Sequence, residues 1–179
     1  MSVEMVLSII AEDRPGLVRT LAELVTAHAG NWIESSMARL GGEFAGIVRV
    51  AVPDAEAAGF ETALIRLGEA GISVSVRRDA AFVAPLAGLR AELQLTGTDH
   101  PGIIHEISNV LAAQNVSIEE LKTAVFPGSM SGGALFSAQA RIVFPEGLTA
   151  DALRDRLETI AGDLMVDIDL SEEGAGGEV

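Results

Sequence analysis

Two short stretches of this chain combine residue types that can hold a small charged molecule: Asp13-Arg14-Pro15-Gly16-Leu17 and Asp99-His100-Pro101-Gly102-Ile103. Each follows an alternating apolar run and precedes an apolar stripe of helical spacing, so each stands where a strand becomes a helix. Proline fixes φ near the helical value and lacks the amide that a first helical turn leaves unpaired. Asp13 and Asp99 are placed near the helix start to cap free amides. Gly16 and Gly102 carry no side chain, so another molecule can come close to the backbone there. A helix start presents free N–H groups and partial positive charge, which suits a carboxylate. The aspartate suits an α-ammonium. The chemistry indicated is capture of a zwitterion, an amino acid, rather than a reaction. A well-made strand-to-helix turn uses the same residues, and duplication copies turns and sites alike.

The remaining reactive residue types form no catalytic pattern. His28, His100 and His105 are the only histidines, and the last two stand five apart rather than the three or four that align two ligands on one helical face. Asp99, His100 and Glu106 read as a capped helix with a polar first turn before they read as a metal or acid–base cluster. There is no cysteine, which removes thiolate catalysis, disulfides and zinc–thiolate sites together. No nucleophile elbow, phosphate-binding loop or dinucleotide fingerprint is present. Ser131-Gly132-Gly133 lacks the lysine that would follow in a phosphate loop and reads as a mobile loop, with a lid or partner contact as its other use. Trp32 opens a strand and reads as core packing. The expectations are no enzyme, no metal and no cofactor.

What positions the two turns is a repeat. Val3, Met5, Leu7 and Ile9 alternate before the first turn, as Leu89, Ala91, Leu93 and Leu95 do before the second. Leu17, Leu21, Leu24 with Val18 and Val25 form a helical stripe after it, answered without a gap by Ile103, Ile107, Val110 with Ile104 and Leu111. Phe44, Val48, Val50, Val52 and Pro53 correspond to Phe136, Ala140, Ile142, Phe144 and Pro145. A second helix (Phe60, Leu64, Leu67; Leu153, Leu157, Ile160) and a closing strand (Ile72, Val74, Val76; Val166, Ile168, Leu170) complete each copy. The order is β-α-β-β-α-β, the ferredoxin-like plan. The fold class expected is α+β: two such units in tandem, antiparallel sheets with helices on one face. The copies differ between their middle strands, where Gly41-Gly42 makes a tight hairpin and residues 126–133 make a longer Gly- and Ser-rich loop. The boundaries expected are a first unit over 1–80, a linker over 81–88, a second unit over 89–170 and a disordered acidic tail over 171–179.

Composition narrows the partners. Apolar residues make up 49% and charged residues 21%, enough to pack cores and too much apolar content for disorder. The formal net charge of -14 opposes nucleic acid and anionic membrane surfaces, which are held by clustered Lys and Arg. The N-terminal residues lack a basic region and long apolar run, and no segment reaches the length of a membrane span, so a cytoplasmic location is expected.

These residues carry a family resemblance. A βαββαβ unit with Asp-Arg-Pro-Gly-Leu after its first strand resembles the ACT domain. Asn31-Trp32-Ile33-Glu34-Ser35 and Leu40-Gly41-Gly42-Glu43-Phe44 are similar to stretches of the glycine cleavage system transcriptional repressor-like group, whose architecture is two ACT units. So are Ile118-Glu119-Glu120-Leu121-Lys122-Thr123, Pro127, Ser131-Gly132 and Leu135-Phe136. The likeness spans roughly residues 3–170. It implies regulation by amino-acid binding, with the ligand between a strand–helix turn and the strand after the first helix, often a neighbouring unit's. Carried over, the site residues are Asp13, Arg14, Pro15, Gly16, Leu17 and Asn31 in the first copy, and Asp99, His100, Pro101, Gly102 and Ile103 in the second. Ser117 stands where the second Asn should be, and Ser36 replaces an Arg common in the group; both departures weaken the transfer of ligand identity. The resemblance further implies glycine or serine as first ligands to try, a transcription activator protein as partner, no direct nucleic-acid contact and a homo-oligomer, a dimer. A ligand-free scaffold and an accessory subunit of an amino-acid metabolic enzyme are the other readings.

Overall fold

The computed structural model describes residues 1–78, 88–128 and 133–172. The chain divides into two compact units, within 1–83 and 84–179. In the first, β1 (Ser2–Glu12), α1 (Leu17–Ala27), β2 (Asn31–Leu40), β3 (Glu43–Pro53), α2 (Asp54–Arg66) with a 3-10 turn (Leu67–Ala70), and β4 (Ile72–Arg78) follow one another. The second repeats them as β5 (Arg90–Thr98), α3 (Ile103–Ala113), β6 (Ser117–Pro127), β7 (Ala134–Val143), α4 (Ala150–Leu164) and β8 (Val166–Glu172). Each unit has a four-stranded antiparallel sheet, ordered β2-β3-β1-β4 and β6-β7-β5-β8. This is the ferredoxin-like arrangement the repeat implied.

The period-two runs bury alternate residues. Met5, Leu7, Ile9 and Ala11 of β1 and Val48, Val50 and Val52 of β3 are buried against Leu17, Leu21 and Val25 of α1 and Phe60 and Leu64 of α2. The second core repeats the plan with Ala91, Leu93 and Leu95, Phe136, Ala140 and Ile142, Ile103, Ile107 and Leu111, and Leu153 and Leu157. Removing such side chains from water contributes about 1.5–3 kcal/mol apiece for the larger ones, so these two faces dominate the stability of each unit. Trp32 is half-buried against the first core.

Duplication persists in backbone detail. Both middle strands bulge at the same place, between Trp32 and Glu34 and between Ile118 and Glu120. Each bulge shifts the side-chain alternation by one, so that Glu34 and Glu120 lie opposite Arg49 and Arg141. Gly41 and Gly42 have φ of 61° and 88°, the paired left-handed values of a two-residue hairpin.

Several expectations shift. Val18, placed in the helical stripe, is 47% exposed, because the buried stripe of α1 runs through Leu17, Leu21 and Val25. Leu89 is exposed and precedes β5 rather than lying in it. Phe126 and Pro127, assigned to the long loop, extend β6 and pair with Leu135 and Ala134. Ser171 and Glu172, assigned to the tail, close β8 opposite Glu92 and Ala91. The rest of the tail, the linker before Gly88 and the loop stretch 129–132 lie outside the described residues. Among the described residues no helix is long and apolar enough to cross a membrane.

Candidate functional site

The first turn sits at the end of β1, fixed from three sides. The Asp13 amide donates to the Gly42 carbonyl of the β2–β3 hairpin at 2.8 Å. The Asp13 carboxylate pairs with Arg39 Nε at 2.7 Å, near the end of β2. Arg14 Nη2 donates to the Ala70 carbonyl, 2.5 Å away at the close of the 3-10 turn. Pro15 precedes a left-handed Gly16, with φ 96° and ψ -2°, and α1 starts at the buried Leu17. Asp13 therefore does not cap the helix as its position in the sequence suggested. Gly16 holds the cap position, no side chain bonds the first amides, and the aspartate lies three residues upstream, where Arg39 meets it. By contrast α4 is capped by Thr149, whose hydroxyl accepts from the Ala152 amide at 3.2 Å.

A shallow cavity of about 240 Å³ opens beside this turn, lined by Asp13, Arg14, Gly16, Leu17, Val18, Arg19 and Phe44. The first turn of α1 carries no acidic residue. Arg19 Nη2 lies 4.0 Å from where a Cβ on Gly16 would stand. An uncapped helix start, two arginines on the wall and a third neutralising the only carboxylate make a locus that favours an anionic group. The apolar side is Leu17, Val18 and Phe44.

The second turn shares the backbone and changes the charges. Gly102 is left-handed, φ 104° and ψ -12°, Ile103 is buried, and again no side chain caps the helix. The Asp99 amide donates to the Ala134 carbonyl at 2.9 Å. His100 replaces Arg14 and reaches the matching carbonyl, Nε2 to Leu164 O at 2.7 Å, while Nδ1 lies 3.1 Å from the Pro101 carbonyl. Two carbonyl acceptors are both satisfied only by a ring protonated on both nitrogens. The Leu164 bond first, then the Pro101 bond, raise the His100 pKa above 6.5, against a small desolvation effect and with help from the Asp99 charge. Arg19 corresponds to His105, and Arg39, opposite Phe44, corresponds to Val125, opposite Phe136. All three arginines of the first turn are thus absent from the second, and Glu106 enters its first helical turn.

Asn31 and Ser117 do not join these turns within their own units. Asn31 is level with Ala51 and hence with Glu4, whereas the turn follows Glu12, roughly 27 Å further along β1. Ser117 is level with Val143 and Arg90, at the far end of β5 from Thr98 and Asp99. The reason is direction: α1 and α3 run back along the sheet, so the strand after each helix starts at the opposite end. Sequence reading brought Asp13, Arg14, Gly16 and Leu17 together but passed over Val18, Arg19, Arg39 and Phe44. Arg39 was recoverable from the hairpin, since a two-residue Gly41-Gly42 turn sets Arg39 opposite Phe44 and beside the end of β1. Arg19 was recoverable as the third residue after Gly16, one helical turn on. Among the described residues no cluster of three His, Asp or Glu side chains could hold a metal ion.

The family model described as the ACT domain matches residues 4–77 and again residues 93–171. A crystal structure of an unknown protein from Galdieria sulphuraria is 31% identical, with a TM-score of 0.82 over 97% of this chain and 100% of that one. The crystal structure of a protein proposed to be a glycine cleavage system transcriptional repressor is 18% identical, with a TM-score of 0.73 over 97% of this chain and 98% of that one. The second shows a shared fold. No curated protein sequence matches the chain.

Proposed function

From the premise that this chain belongs to the ACT-domain family, a family whose members are typically amino-acid-binding and regulatory, we propose that it is an amino-acid sensor acting through protein contact. The observation that carries the reading is the first turn: a 240 Å³ cavity at an uncapped helix start, walled by Arg14 and Arg19, with Asp13 on its rim. A ligand carboxylate meets the free amides and the arginines. An ammonium shares the Asp13 carboxylate with Arg39. Glycine and serine are the first candidates to try. Asp99, His100, Pro101, Gly102 and Ile103 form the corresponding turn of the second unit, with a less cationic surround.

Control of transcription or metabolism is the proposed setting. The fold shared with a protein proposed to be a glycine cleavage repressor supports it, and the net charge of -14 supports a protein intermediary over direct DNA contact. The test is thermal melting of the whole chain against the common amino acids. A ligand that binds only the folded state adds about 2.7 kcal/mol at a hundred times its dissociation constant. Arg19→Gln, at an exposed side chain that pairs with the exposed Glu23, should weaken that shift without unfolding the protein. Melts unchanged by every amino acid would overturn the sensor, and a shift of unchanged strength in Arg19→Gln would move the site elsewhere.

A further inference from the structure

The two turns are tied down by the same contact built from different chemistry. Ala70 and Leu164 are equivalent residues, each the last before a left-handed residue, Gly71 at φ 76° and Met165 at φ 51°, that leads into the closing strand. A carbonyl at such a helix end has no intrahelical donor and carries the negative end of the helix dipole. Arg14 and His100 fill that need from the turn, bridging 56 and 64 residues of sequence. Arg14 is charged at any relevant pH. The His100 ring spans two acceptors, Leu164 O and Pro101 O, and neither can give it a proton. Losing one proton leaves the ring a single donor, with a lone pair directed at a carbonyl.

We propose that His100 is a proton-dependent latch on the second unit's turn, closed when protonated and loosened when neutral, while Arg14 holds the first unit's turn closed irrespective of pH. The latch is a positioning device: it sets the turn through the end of α4 and touches no ligand itself. Its consequence for ligand affinity rests on the turns being amino-acid sites; the latch itself does not. From its own turn, the charged group acting on the ring is Asp99, which favours the proton. From α4, a carbonyl rather than a charge meets it. Because the folded-state pKa is raised, the stabilisation is complete below pH 6.5 and is lost as pH climbs through the raised value.

The duplicated chain supplies its own control, so the test is one NMR titration of the full protein, without amino acid, from mildly acidic to mildly alkaline pH. The His100 ring should titrate above 6.5. The amides of Asp99, His100, Gly102 and Ile103, with those of Met165 and Val166, should move on the same midpoint. The matching amides of Asp13, Arg14, Gly16 and Leu17 should not. His100→Arg, which copies the first unit, should remove that midpoint from the second unit's amides while keeping its melting temperature; His100→Gln should remove the midpoint and lower the melting temperature. A ring that titrates at or below 6.5, first-unit amides that share the midpoint, or an unchanged midpoint in His100→Arg would each overturn the latch. Since no amino acid is present, these failures leave the sensor reading untouched, and melts that ignore glycine leave the latch untouched.

Discussion

Replacing Gly16 by Ala separates two reasons for glycine at the turn. Among the described residues a Cβ built on Gly16 meets only Arg19 Nη2, at 4.0 Å, and one built on Gly102 meets nothing within 4 Å. Space is therefore not the constraint. Conformation is: φ of 96° and 104° places both residues where an L side chain costs roughly 1–2 kcal/mol. For a unit of this size that cost lowers the melting temperature by several degrees per kcal/mol, and with a urea m-value near 1 kcal/mol/M it moves the midpoint by about 1–2 M. Trp32, the only tryptophan, lies in β2 and half-buried on the first core, so its fluorescence in a urea titration reads the first unit for Gly16→Ala. Circular dichroism serves for Gly102→Ala, where an equal loss is expected. Gly97 provides the contrast. Its Cβ would collide with the Met165 carbonyl and lie 2.7 Å from Val166 Cα, backbone atoms that yield little, so Gly97→Ala should cost about 3 kcal/mol. The reasoning fails if Gly16→Ala is neutral, or if it is as damaging as Gly97→Ala.

Two further outcomes follow from named contacts. Glu61 accepts from Arg78 Nη2 at 2.8 Å and from Nε as well; that hydrogen bond, with the Arg78 charge, holds its carboxyl below the ordinary value of 4.5 despite slight desolvation. A lowered folded-state pKa contributes stability that is present above the unfolded value and lost as pH falls through the folded one. Glu61→Gln should therefore flatten part of the loss of stability below pH 4.5 in urea titrations across pH, and an unchanged acid limb would contradict the pairing. Thr149→Ala removes the hydroxyl that caps α4 and should cost about 1 kcal/mol, read as a lower thermal midpoint; no change would mean that water replaces the cap at no loss.

The architecture was legible in the sequence because burial leaves a period. Met5, Leu7 and Ile9 alternate because a strand shows one face to a core, and Leu17, Leu21 and Val25 recur at helical spacing for the same reason. The repeated Asp-x-Pro-Gly marked both strand–helix junctions, since proline and glycine restrict backbone angles locally. What tertiary structure decided is everything set by pairing between distant segments. Asp13 looked like a cap until the hairpin brought Arg39 to it, and the direction of α1 sets Asn31 at the other end of its own sheet. That Arg14 and His100 each also hold a helix-end carbonyl is visible only in the tertiary structure. Local sequence specifies torsions and hydrophobic period; which polar atoms meet is fixed only once strands lie in register and helices pack across them.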